Sequence, residues 1–327
     1  MAIPCEPVLS AAESRGGSIL DGMLNILKPD GWTSHDVVKR MRAALAIQKV
    51  GHAGTLDPHA TGVLPVLIGK GTRIAQHLVQ WDKEYVAVLR LGKRTDTQDA
   101  WGTVVQETPT RGLSDERVRE ALKQFQGTVQ QVPPMFSAVK IGGQPLYKKA
   151  RRGEIVERLP KAVTIYDLEI LRIEIPEVTF RVVCSKGTYV RTLCADIGEA
   201  LQVGGHLQWL QRTRVGPLRL EEAISLESLK TKSDLVHYPR GIWALDRALE
   251  HFPAVEVQGD DARKVLHGNA IPWGRVLERT ETDVQAPTGG QPIRVKAGDG
   301  RLLALGIRPV PSFGAKTSWL KIDTVLV

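Results

Sequence analysis

The longest uncharged apolar stretch in this chain is only seven residues, Val63 to Gly69, and a loop of polar residues and glycines runs straight into it. A membrane-spanning helix needs roughly 20 such residues, so no bilayer span is expected and the protein reads as soluble. A run this short suits burial in a globular core instead. The residues before it, Gly51-His52-Ala53-Gly54-Thr55-Leu56-Asp57-Pro58, make a Gly-punctuated loop held against that core, a common place for chemistry.

The length of 327 residues suggests two domains. Apolar residues at 42% and charged residues at 24% are ordinary globular usage, which sets aside wholesale disorder or a fibrous repeat. Residues 1–22 contain Glu6 and Glu13 and lack the apolar centre of a signal peptide, so a disordered leader is expected. Met23 to Lys28 reads as a strand ended by the turn Pro29-Asp30-Gly31. Ser34 is placed to cap a helix to about Ala46, with Val37, Val38, Met41 and Leu45 on one face. Tyr85 to Leu91 alternates as a strand, Ser114 caps a helix to about Phe125, and Val163 to Ser185 supplies two β-branched strands. Thr188 is the expected cap of a helix to about Leu201, whose apolar stripe is Val190, Leu193, Cys194, Ile197 and Leu201. Asp246 to Phe252 reads as a connecting helix. Beyond Pro253 the pattern turns β-rich: a short helix Asp261 to His267, strands near Ile293–Lys296, Leu302–Ile307 and Trp319–Leu326, and a loop Glu278 to Gln291. The expected domains are therefore 23–250 and 251–327.

A formal charge of +8 and a pI near 9.4 favour a polyanionic partner without naming one. The charge is concentrated in Tyr147 to Lys161, with six basic and two acidic side chains, and Lys148, Lys149, Arg151 and Arg152 are the candidate phosphate contacts. The alternative for this run is an ordinary solvated face. Cys5, Cys184 and Cys194 are odd in number and form no Cys-x-x-Cys pair, so neither a disulfide framework nor a zinc ribbon is indicated, and a reducing cytosol fits.

His52, Asp57 and His59 fall within eight residues. Asp57-Pro58 could cap a helix or close an Asx-turn, since a carboxylate accepts orphan amides and proline suits a first helical position. Two imidazoles and a carboxylate are also the donor types of a metal site, although no helical spacing aligns them. In the third reading Asp57 is a nucleophile on a rigid loop.

The surrounding sequence resembles the TruB family of pseudouridine synthases. The resemblance is carried by Lys28-Pro29-x-Gly31-x-Thr33-Ser34 and by Val50 to Val66, with its Gly51-His52-Ala53-Gly54-Thr55-Leu56-Asp57-Pro58 core. Lys83-Glu84-Tyr85, Leu91-Gly92-x-x-Thr95-Asp96-Thr97-x-Asp99, Pro133-Pro134-x-x-Ser137-Ala138-x-Lys140 and Cys184-Ser185-x-Gly187-Thr188-Tyr189-x-Arg191-Thr192 follow in order. It covers nearly everything after residue 22. Trp101 departs from the pattern, standing where a small or acidic residue is expected.

The resemblance implies an α+β fold: a mixed, mainly antiparallel sheet with helices and loops flanking a central cleft, and a small β-rich PUA-like RNA-binding domain at the C-terminus. It implies isomerisation of a T-loop uridine of tRNA, position 55, to pseudouridine, with no cofactor or metal. The T-arm would be the partner, with no membrane and no obligate protein partner. Asp57 matches the nucleophile and Arg191 the arginine paired with it, by two charge-assisted hydrogen bonds. Tyr85 matches the tyrosine that stacks on the flipped uracil, and His52 a histidine that packs where the base has left. Lys28, Tyr189 and Leu210 match supporting walls of the pocket, and residues 133–161 an RNA-gripping insertion of the bacterial type. By residue pattern alone Arg191 is a surface ion-pair former, Tyr85 a core aromatic and His52 a buried imidazole. A non-catalytic RNA-binding protein and a metal-dependent hydrolase are the rival functions.

Overall fold

The computed structural model describes residues 21–327 except 138, 239–240, 280–289 and 308–318. The expected leader thus lies outside the described residues apart from Asp21 and Gly22, as does most of the loop 278–291. That loop begins inside a short strand, Leu277–Arg279.

Strict alternation makes β4 (Lys83–Leu91), where Lys83, Tyr85, Ala87, Leu89 and Leu91 are buried and the residues between them are not. The uncharged run extends from Thr61 to Ile68 as β3, buried at every residue after the first because both its faces are covered. With β1 (Gly22–Lys28), β2 (Val50–His52), β5 (Gly127–Gln131), β6 (Lys161–Glu174), β7 (Glu177–Cys184) and β8 (Gly205–Val215), these strands build one large sheet. Its spatial order is β1-β3-β8-β4-β7-β6-β5, with Ile224–Ser225 and Ile242–Trp243 beside β1 and β2 beside β3. All of these pairings are antiparallel except β3 with β8 and β1 with Ile224–Ser225. The fold is α+β with a mixed, mainly antiparallel sheet, as expected.

Helix α1 (Ser34–Leu45) covers one half of the sheet through Val37, Val38, Met41 and Leu45. Its cap is Thr33, one residue before the expected Ser34. The Thr33 hydroxyl accepts from Asp36 N at 3.1 Å and the Asp36 carboxylate accepts from Thr33 N at 3.1 Å, a capping box. Ser34 instead holds the loop before β3, since its hydroxyl accepts from Leu56 N at 2.9 Å and donates to Leu56 O at 3.2 Å. Helix α2 (Asp115–Lys123) is capped by Ser114 as expected. Helix α3 (Val190–Ala200) starts one residue later than expected, because Tyr189 is its cap residue and the Thr188 hydroxyl donates to Ser185 O instead. The connecting helix is only Leu245–Ala248.

The second, six-stranded sheet uses Ala254–Val257, Ile271–Pro272, Leu277–Arg279, Pro292–Ala297, Leu302–Ile307 and Trp319–Val325. Its helix is Gly259–Leu266 rather than Asp261 to His267. The two sheets are packed together. Leu305 and Leu326 join a core cluster with Met23, Val63 and Leu67, and buried Arg294 donates to Asp246 Oδ1 at 3.0 Å and Phe252 O at 2.9 Å. Among the described residues no helix is long and apolar enough to cross a membrane.

The join between β3 and β8 is short, with Gln211 opposite Thr61 and Arg212 opposite Gly62. Gly62 has φ +109°, and a Cβ there would strike the Arg212 backbone. Gly62→Ala should therefore cost about 2 kcal/mol or more in urea unfolding, because neither backbone strand can give way. An unchanged midpoint would contradict the close approach.

Candidate active site

Strands β2 and β3 bound the Asp57 loop, and a turn rather than a helix follows Asp57, so it caps no helix. Ser34 holds Leu56, Ala53 N donates to Pro65 O at 3.0 Å, and Ala60 N donates to Asp57 O at 3.1 Å. Lys28 lies beneath the loop with no exposed surface, and its Nζ donates to Pro58 O at 2.7 Å and Pro29 O at 2.8 Å. Burial brings the Lys28 pKa down to about 8, against the pull of Asp30 and Asp57.

Arg191 comes from the first turn of α3, with only 4% of its side chain exposed. Its Nη2 donates to Asp57 Oδ1 at 3.2 Å, and its Nε lies 2.8 Å from Oδ2. The second contact is an ion pair without an aligned hydrogen bond, so one aligned bond replaces the expected two. The guanidinium also donates to Thr97 O at 3.2 Å and Phe136 O at 3.0 Å, and lies 3.7 Å from Asp99 Oδ2. Desolvation raises the Asp57 pKa above the usual carboxylate range; Arg191 and Lys28 oppose the rise and Asp99 adds to it. The side chain nevertheless keeps 42% of its surface open to the cleft, so a substrate can reach it.

The cleft is walled by Asp57, Pro58, His59, Ala60, Asp99, Trp101, Arg191, Leu207 and Leu210. It is a small cleft, about 30 Å³. A larger cavity of about 630 Å³, lined by Trp81, Arg214, His251 and Phe252 among others, lies between the two sheets and holds none of the candidate residues.

Tyr85 on β4 is 8% exposed and sits directly opposite Arg212 on β8, whose buried charge acts on its hydroxyl. Burial raises the Tyr85 pKa while Arg212 opposes the rise. His52, half-buried at the end of β2, does not line the cleft. Burial lowers its pKa, and its Nδ1 has no protein partner. Tyr189 is clamped through its backbone: Gln131 Oε1 accepts from its N at 3.0 Å and Gln131 Nε2 donates to its O at 3.2 Å. Lys148 and Lys149 lie on the short helix Leu146–Ala150, followed by exposed Arg151 and Arg152. Arg152 has Glu154 at 3.7 Å as a partial counter-charge. Cys184 and Cys194 are buried free thiols. Among the described residues, no three His, Cys, Asp or Glu side chains converge for a metal.

Sequence reasoning passed over Arg212 and Asp99. Arg212 is 1% exposed, donates to Val63 O at 2.7 Å and Gly54 O at 2.9 Å, and so ties the Asp57 loop to β8 at the position opposite Tyr85. It is two residues after Leu210, so a period-two reading would have put it on the same face. Asp99 stands at the end of the Leu91 to Asp99 motif, and the buried charge of Arg191 is the reason to look there.

Two solved assemblies contain chains that share this fold. An H/ACA RNP bound to a substrate RNA containing 2′-deoxyuridine contains a chain 28% identical, with a TM-score of 0.70 over 94% of this chain and 85% of that one. A Cbf5-Nop10-Gar1 complex matches at 30% identity, TM-score 0.70, over 94% and 85%. Residues 42–190 match the N-terminal domain of the TruB family pseudouridylate synthases, and residues 191–250 the tRNA pseudouridylate synthase B C-terminal domain. The tRNA pseudouridine synthase B of Symbiobacterium thermophilum is 47% identical over 80% of this chain and 87% of its own. That of Burkholderia pseudomallei is 44% identical over 88% and 92%. The chain belongs to the TruB family of pseudouridine synthases.

Since the Arg191 charge is the main influence holding the Asp57 pKa down, Arg191→Met should move it further up. A carboxyl ¹³C titration of Asp57 in both proteins would show this; an unmoved midpoint would contradict the pairing.

Proposed function

We propose that this tRNA pseudouridine synthase acts on the T-loop uridine at position 55 and that Asp57 is its nucleophile. The observation that carries the reading is a carboxylate open to a cleft and backed by a buried, four-partnered arginine. The bond from C1′ to N1 breaks and a bond from C1′ to C5 forms; the C5 proton leaves and N1 gains one, so the product is an isomer. Such chemistry asks for a carboxylate near the sugar, a proton acceptor, and exclusion of water from the intermediate. Asp57 supplies the first, by attack at C1′ or by assisting glycal formation. Tyr85, beside the buried charge of Arg212, stacks on the uracil and takes part in removing the C5 proton. His52 packs against the nucleotides around the gap, and Lys28, Tyr189 and Leu210 support the pocket.

A base inside a folded loop must leave its stack to reach Asp57, and RNA loops permit this at lower cost than duplexes. Lys148, Lys149, Arg151 and Arg152 grip the stem phosphates, and the C-terminal sheet is a PUA-like module that holds the acceptor end. The enzyme works in the cytosol without an obligate protein partner; its 44–47% identity to tRNA pseudouridine synthases B supports this over the 28–30% shared with the H/ACA chains.

Release of tritium from tRNA carrying [5-³H]uridine reads the isomerisation directly. Asp57→Asn should abolish release while tRNA affinity stays within a few-fold, because the carboxylate serves bond breaking and remote contacts supply binding. Turnover by that variant would remove Asp57 from the nucleophile's role. Replacing Lys148, Lys149, Arg151 and Arg152 with Ala should weaken tRNA binding and flatten its salt dependence, with little change in single-turnover rate at saturation. An unchanged slope would mean that these side chains meet no phosphate.

A further inference from the structure

The Trp101 indole lies flat on the His59 imidazole, ring centroids 3.9 Å apart and planes within 4°. Both rings belong to the wall of the cleft that holds Asp57 and Arg191. With one face covered by His59, Trp101 still leaves 50% of its surface in solvent. An aromatic plane kept open beside an RNA site is suited to stacking a base, whatever that base's identity.

The plane is also held still. Asp99 Oδ1 accepts from Trp101 N at 3.1 Å and from the Thr97 hydroxyl at 2.6 Å. Ala100 N donates to Leu207 O at 2.9 Å, and Leu207 N donates to Gln98 O at 3.0 Å, pinning this loop to β8. Gly102 is so tightly enclosed that a Cβ there would strike the Thr97 and Asp96 side chains. From the other side, His59 Nδ1 lies 3.1 Å from Asp30 Oδ1, so a carboxylate steadies the imidazole that backs the indole. The hydrogen bonds and ion pairs of Asp57 and Arg191 involve neither ring, and the core does not need an indole this exposed. The site that departs from the family pattern is thus a rigid, half-open aromatic plane, joined through His59 to the chain two residues after Asp57.

We infer that His59 and Trp101 form a stacking platform for a second nucleobase of the RNA, the immediate neighbour of the uridine that enters the cleft. The inference rests on the reading of the cleft as the uridine site. The platform shares a wall with Asp57, so the base that reaches it is one nucleotide from the target. Extruding the target deprives that neighbour of a stacking partner, and the indole replaces it. Trp101 is then a substrate-binding residue that contributes to the stability of the flipped complex and takes no part in proton or bond chemistry.

The test is a cycle of affinities between protein and RNA changes, with T-arm stem-loops that are intact or abasic at the nucleotide before or after the target. Trp101→Ala should bind intact RNA about tenfold more weakly, and Trp101→Phe should recover most of the loss. Removing the base that stacks on Trp101 should weaken binding to the unaltered enzyme by a similar factor and have little further effect in Trp101→Ala. His59→Ala, which removes the backing ring, should show a smaller loss that vanishes with the same abasic RNA. Losses that multiply for both abasic RNAs, or no loss at all in Trp101→Ala, would overturn the platform. Tritium release by the unaltered enzyme from the intact stem-loop is measured alongside. Its absence would overturn the uridine site and the platform's position with it, whereas normal release with multiplying losses would overturn the platform alone.

Discussion

A guanidinium with 4% of its surface exposed is the constraint around which the site is arranged. An unpaired cation at that depth would be prohibitively unfavourable, so the fold must bring acceptors to it. They come from three separate stretches: Asp57 from the loop before β3, Thr97 and Asp99 from the loop after β4, and Phe136 from the segment after β5. Arg191 itself is delivered by α3, whose apolar stripe fixes the helix against β4 and β8. The carboxylate that faces the cleft is thus aimed by a residue that the core has already immobilised. Arg212 repeats the device on β8, joining Gly54 and Val63 opposite Tyr85.

Burial and positive charge act on Asp57 in opposite directions. Desolvation raises its pKa, and the charges of Arg191 and Lys28 work against that rise. A carboxylate in this balance is held in direction without being smothered, since much of its surface still faces the cleft. The basic side chains at 148–152, by contrast, project from a five-residue helix and the turn after it. In the proposed reading, grip on phosphate and chemistry at the sugar therefore sit on different parts of the chain, so either can be altered while the other is kept.

Elements with a strong period were legible in the sequence. β4 alternates without a break, α1 and α3 carry apolar stripes, and Val163 to Ser185 resolves into β6 and β7. Their ends were less so: Thr33 and Ser34 are both capping residues, and only the Leu56 contact, distant in sequence, decides which of them caps. β8 escaped notice although it lies in the middle of the sheet. Gly-His-Leu-Gln-Trp-Leu-Gln-Arg-Thr-Arg-Val has no clean alternation, because irregularities in register between Leu207 and Trp209 and between Arg212 and Arg214 shift its faces, and one buried position is an arginine. Asp57 and Arg191, 134 residues apart, could be paired only through the family resemblance. The ring stack of His59 on Trp101 had no signal beyond an unexpected residue at position 101.

The most direct measurement is position-resolved chemical mapping of pseudouridine in a full-length unmodified tRNA after incubation with the purified protein alone. The expected result is one pseudouridine, at position 55 of the T-loop, formed without added metal, nucleotide or protein. No pseudouridine, or pseudouridine at another position in its place, would contradict the assignment of this cleft to the T-loop uridine.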